Sequence, residues 1–149
     1  MQLRLILQQP LSAPLKGKVT VLIRGEELSS TEKASMNTYM AGQFPNAVRV
    51  AEPTTNYNCH SYAWYSTSTS NRYWMNSPSA YMTDGSYTQR NGSSGSVSGD
   101  RIFYSSGTHS AIEIAMYPIT ARSKWGPYGL YEHKVDDCPY SGPFTYWYR

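Results

Sequence analysis

The hydrophobic positions change period along the chain. Residues 1–7 alternate and 18–23 are β-branched, which predicts two strands, with a loop at 9–17 that holds Pro10, Pro14 and Gly17. Ala34, Met36, Tyr39 and Met40 then fall on helical spacing. Ser29 and Glu32 just ahead form a capping-box signature, and Gly42 and Pro45 are the stop signals. Residues 47–51 read as a short extended piece and 52–58 as a loop. A second helix is predicted over 59–66, with Cys59, Tyr62 and Ala63 on one face. The Ser/Thr run at 66–70 is poor helix material and ends it. Ser77-Pro78 predicts the N-cap and first position of a short helix reaching 81, closed by Asp84-Gly85.

After a polar loop at 90–99 the period becomes two. Strands are expected at 101–104, 109–116, 119–125 and 129–133, separated by turns at 105–107, at Pro118 and at Gly126-Pro127. Short strands are also expected at 86–88 and, on a sheet edge, at 144–148. Helices first and an antiparallel meander after them is an α+β order. Residues 1–50 read as an N-terminal extension of strands plus a helix that packs on a core at 51–149, the whole forming one compact domain. There is no internal repeat.

Composition narrows the setting. Charged residues are only 15% of the 149, against roughly 25% in ordinary globular domains, and fourteen tyrosines with four tryptophans carry much of the apolar fraction. Ser, Thr, Asn and Tyr supply the polarity, as expected of secreted or cell-wall-associated proteins whose partners are glycans or glycan–peptide polymers. The net charge of +3 comes without a basic block, which argues against a nucleic-acid partner. No 18-residue apolar run exists, so no membrane span is expected. Residues 3–7 are too short for a signal peptide. The expected location is therefore secreted or wall-associated, with the leader absent from this chain; a cytoplasmic location is the alternative. A monomer is favoured.

Candidate chemistry centres on Cys59, one of two cysteines. A cysteine in the first turn of a helix feels the positive end of the dipole, which lowers its pKa. Nucleophilic thiol chemistry also needs a histidine in hydrogen-bond reach and a group to orient it. His60 sits about 100° round the helix from Cys59 and is a poor partner. His109 opens a strand after a glycine-containing turn, at a sheet edge where a base can meet a helix N-terminus. His133 is an orienter or a surface residue. Cys138, in a turn, reads as a bystander, although pairing with Cys59 is open to it. Asp100 reads as a turn carboxylate, and the four tryptophans as core, with Trp125 able to line a groove. No metal is expected, because only Cys59 and His60 cluster and adjacent residues rarely share an ion. No phosphate loop and no cofactor are expected.

Gly99-Asp100-Arg101-Ile102-Phe103-Tyr104, a turn, then His109-Ser110-Ala111-Ile112 resembles the "G-D-hydrophobic-hydrophobic-aromatic … H-small-small-I" stretch of NlpC-like and CHAP-like members of the papain-like cysteine hydrolases. Asn58-Cys59-His60-Ser61-Tyr62 is similar to their cysteine at a helix start, and the order of cysteine, Gly-Asp strand and histidine is also theirs. The resemblance covers roughly residues 56–125. It implies a papain-like, NlpC-like fold, with N-terminal helices and the cysteine helix packed on an antiparallel sheet. It also implies Cys59 as nucleophile and His109 as base, with Tyr57 on the oxyanion side. The third catalytic group belongs on the strand after His109. Ser123 is the closest polar position, with Lys124 beside it and His133 or Glu113 as alternatives. Asn58 stands where the family has Asp, and His60 where it has a small residue. Tyr57, Asn58, His60, Lys124 and Trp125 make up the expected substrate or oxyanion region. The implied activity is hydrolysis of amide bonds in peptides or peptidoglycan stem peptides, with acyl transfer as a variant. The rival reading is a secreted glycan-binding or toxin-like module without catalysis, in which Cys59 and Cys138 are disulfide-bonded.

Overall fold

The computed structural model describes residues 2–7, 18–106 and 108–149. The loop expected at 9–17 and Gly107 of the expected turn lie outside the described residues. β1 (Gln2–Leu7) and β2 (Lys18–Ile23) pair antiparallel. α1 (Ser30–Gln43) opens on the expected capping box. Ser29 Oγ accepts from Glu32 N–H at 3.1 Å, and Glu32 Oε1 accepts from Ser29 N–H at 3.2 Å. Gly42 does not stop the helix; Phe44 does, with its N–H on Met40 O, and Pro45 follows.

β3 (Val48–Ala51) leads to the cysteine segment. The eight-residue helix expected there is shorter and wider. Cys59 and His60 are helical, and a single π-helical turn, Ser61–Tyr65, follows. Ser66 N–H closes that turn on Ser61 O at 2.9 Å, five residues back. Such turns recur at functional sites. β4 (Trp74–Met75), α2 (Ser79–Thr83) and β5 (Thr88–Gln89) are short. Pro78 is the cap of α2 rather than its first residue, and Ser77 Oγ accepts from Ser79 N–H at 3.3 Å.

The period-two stretch folds as read. β6 (Arg101–Tyr104), β7 (His109–Ala115), β8 (Thr120–Lys124) and β9 (Leu130–Lys134) form an antiparallel meander, joined by β10 (Phe144–Tyr148). The large sheet runs β3-β9-β8-β7-β6-β10-β5, and β1-β2-β4 forms a second sheet. The architecture is α+β. Two edge assignments fail. β10 lies between β6 and β5, and β7, which carries His109, is the central strand of seven. Residue 50 is not a boundary in the packing, because it falls inside β3, which pairs with β9.

Alternation separates the two faces of the sheet. Ile102 pairs with Ala111, and both enter the cluster that Met40 and Phe44 of α1 cover. Arg101 pairs with Ile112, which faces the other cluster, built by Ala63 and Trp64 of the π turn with Val19, Val21, Met75 and Tyr81. The sheet is thus sandwiched between α1 and the cysteine segment.

Candidate functional site

Asn58 fixes the entry to the π turn. Its Nδ2 donates to Met75 O at 2.7 Å, and its Oδ1 accepts from Met75 N–H at 3.1 Å and Ser61 N–H at 3.2 Å. This amide clamps the segment to β4, so Asn58 is a positioning residue rather than part of a substrate surface. Cys59 follows it and is buried. Its thiol faces the N–H groups of Ser110, of His60 and of Cys59 itself, and the Lys124 charge also favours the thiolate. Burial outweighs all of these and pushes the thiol up to about 11. The lowered pKa expected from a helix dipole is not realised, because one short turn supplies little field and the thiol is dry.

Two serines hold two of the histidines. Ser110 Oγ lies 2.7 Å from His60 Nδ1 and accepts from Trp64 Nε1–H at 2.9 Å. The hydroxyl oxygen has two lone pairs, so the direction of its bond to His60 follows the imidazole tautomer, and the Thr108 backbone is a second partner of the ring. Burial pulls His60 down to about 4. The same arrangement recurs around Ser123. Its Oγ lies 2.7 Å from His133 Nε2 and accepts from Trp125 Nε1–H at 3.0 Å, while His133 Nδ1 lies 2.7 Å from Lys134 O. His133 is likewise held below the ordinary histidine range by burial.

His109 is different. It is fully buried, and neither ring nitrogen has a hydrogen-bond partner. Its ring stacks on Tyr140, with centroids 3.7 Å apart and planes within 4°, and meets Tyr104 edge-on at 4.9 Å. Burial, then repulsion from His133 and His60, holds it well below 6.5, so it is a neutral base. Alternation along β7 points its ring away from the face where Ser110 meets His60 and Trp64. Cys59 reaches the neighbouring Ser110 N–H, and no hydrogen bond joins the thiol to the His109 ring in this arrangement.

Ser123 does not orient His109, because its hydroxyl is taken by His133 and Trp125. Glu113 is buried four residues along β7, with its carboxyl pushed up by burial. Lys124 is fully buried. Its Nζ donates to Thr54 O at 2.8 Å and Gly126 O at 2.5 Å and stands 5.0 Å from the centre of the Tyr57 ring. Burial pulls it down to about 7. Trp125 lines no groove; it is core, stacked on Tyr131 at 3.9 Å. Asp100 is the turn carboxylate expected, paired with Arg90, and Gly99 before it takes φ +99°, a conformation that favours glycine. Cys59 and Cys138 are both free, so the disulfide of the binding-module reading is not formed. Cys138 donates instead to Tyr140 O at 3.4 Å and Val135 O at 3.7 Å.

Sequence reasoning missed Ser110, Tyr104 and Tyr140. Ser110 was within reach, since alternation puts His109 and its neighbour on opposite faces. Nothing local marked Tyr140, which arrives from a loop thirty-one residues on. No protein-family model, curated protein or solved structure matches the chain. Among the described residues, no helix is long and apolar enough to cross a membrane, and no group of three metal-binding side chains converges.

Proposed function

We propose that the chain is a papain-like cysteine hydrolase of amide bonds, with Cys59 as nucleophile and His109 as base. One observation carries the choice of base. A proton acceptor needs an uncommitted lone pair, and of the three histidines only His109 has both nitrogens unbonded. It also directly precedes Ser110, whose N–H supports the Cys59 thiolate. The order of cysteine segment, Gly99-Asp100 turn and histidine-led central strand supports the family assignment. The low charge and tyrosine-rich polarity support a secreted or wall-associated setting, with a peptide or a peptidoglycan stem peptide as substrate.

In this reading the resting pair is a protonated thiol and a neutral imidazole. Tyr140 is the side chain common to both, stacked on His109 and within electrostatic reach of Cys59, and in this reading its displacement by substrate is what lets sulfur and imidazole meet. As sulfur attacks the carbonyl carbon, the thiol proton passes to His109. The oxyanion is held by N–H groups at the start of the segment. His109 returns the proton to the departing amine as the C–N bond breaks. Water then cleaves the thioester, with the imidazole again taking a proton, and the thiol is restored. Cys59→Ala, Cys59→Ser and His109→Gln should each abolish product release from purified sacculi or peptide mixtures, read by mass spectrometry. Undiminished cleavage by Cys59→Ala rules the proposal out. Product analysis with an added amine separates hydrolysis from acyl transfer.

A further inference from the structure

Tyr117 stands where folding alone would place a smaller residue. It lies in the turn between β7 and β8 with φ +60°, inside the left-handed region. Glycine enters that region freely and asparagine tolerates it, but it crowds the Cβ of a bulky side chain. A buried aromatic can offset such strain by packing. Tyr117 does not, because it is 91% exposed, more than any other large hydrophobic side chain among the described residues. Strain that packing does not offset is a mark of functional positions.

The surroundings define what the ring can hold. A groove of about 240 Å³ opens beside it, lined by Met116, Tyr117, Pro118 and Ile119 of the turn and by Ser93 and Ser94 of the polar loop. No charged side chain lines it. An ion would find no counter-charge there, and a purely apolar ligand would leave the serine hydroxyls unpaired. An uncharged pyranose ring satisfies both walls. Its C–H face suits the negative π face of tyrosine, and its hydroxyls exchange hydrogen bonds with serines, which both donate and accept. The groove is smaller than the roughly 300–1,000 Å³ of sites for drug-sized ligands, so one ring enters and the rest of a chain extends into solvent.

We propose that this groove binds one uncharged pyranose ring of a glycan, stacked on Tyr117 and hydrogen-bonded by Ser93 and Ser94. β7 runs from His109 to Ala115, so the groove lies past the far end of the strand from His109, roughly 20 Å away at about 3.3 Å per residue. The site stands apart from the reaction proposed above and does not depend on it.

Amide chemical-shift titration of the full-length Cys59→Ala chain by NMR tests it without turnover. The probes are chitotriose, cellotriose and, as an uncharged peptide, N-acetyl-trialanine amide. Saturable shifts confined to residues 93–95 and 116–119 are expected with a trisaccharide. The tighter of the two shows whether the ring carries N-acetyl groups or hydroxyls alone. Tyr117→Gly relieves the backbone strain and removes the platform, so it should weaken binding by about fivefold to tenfold while the urea midpoint stays level or rises. Tyr117→Phe keeps the ring and should bind within about twofold of the parent, and Ser94→Ala should bind several-fold more weakly. The proposal is overturned if neither trisaccharide saturates, if the peptide shifts the same residues as tightly, or if Tyr117→Gly binds unchanged.

Discussion

His109 lies flat against Tyr140, ring centres 3.7 Å apart and planes 4° from parallel, and that contact closes one face of an imidazole with no hydrogen bond of its own. The ring of Tyr140 should therefore set the accessibility of the base. Tyr140→Ala is expected to raise the His109 pKa toward 6.5, because burial is the main force holding it down. Tyr140→Phe, which keeps the stack, should leave it low. Histidine proton NMR across a pH titration reads both. The alanine variant should also lose about 3 kcal/mol of stability, the low end for truncating a packed aromatic. If His109 titrates identically in both variants, Tyr140 is not its cover.

Both thiols should be silent in the folded protein and countable once it unfolds. Cys59 and Cys138 are each pushed up to about 11, so near neutral pH only about one in several thousand molecules carries either thiolate. Iodoacetamide should modify the native chain slowly at both positions. Unfolding in guanidinium without reductant should then release two reactive thiols, the number of free cysteines. A count of zero would restore the disulfide-bonded binding module.

Much of this was legible in the sequence. The capping box at Ser29 and Glu32 formed as read, because its hydrogen bonds close within three residues. The meander from Arg101 to Lys134 also formed, because alternation carries its own register. What failed depends on partners far along the chain. β10 returns between β6 and β5, which makes β7 central, and no local pattern encodes that order. Trp125 lines no groove because Phe44, from the end of α1, meets it edge-on at 5.3 Å. A dipole argument for Cys59 ignored how dry the thiol would be.

Stability should rise with pH from acid to about pH 9 and then level or fall. Unfolded His60 takes a proton near 6.5, and folded His60 only near 4. Between those values the unfolded state holds more protons, so lowering the pH favours unfolding. The loss for His60 alone is on the order of 3 kcal/mol by pH 4, and His109 and His133 act in the same direction. Lys124 extends the rise, because its folded value of about 7 lies below the unfolded 10.5. Cys59 opposes it above 9, since its folded value is about 11. Urea midpoints near pH 5, 7 and 9 should increase in that order; a midpoint at pH 5 equal to that at pH 7 contradicts the buried neutral histidines.

Ser110 and Ser123 should behave as structural twins, although only Ser123 was expected to be catalytic. Each hydroxyl lies 2.7 Å from a histidine ring nitrogen and accepts an indole N–H, from Trp64 in one case and Trp125 in the other. Serine to alanine at either position strands two buried polar atoms, which costs about 2 kcal/mol or more. Most of that cost is the penalty of the stranded partners, so removing one of them should return part of it. Trp64→Phe should therefore destabilise less in the Ser110→Ala background than alone, and Trp125→Phe likewise with Ser123→Ala, as double-mutant cycles by urea unfolding would show. Amide hydrolysis by Ser123→Ala, assayed where it is fully folded, should stay within several-fold of the parent, because no hydrogen bond joins Ser123 to His109. A loss of about a thousandfold or more would place Ser123 in the proton path after all.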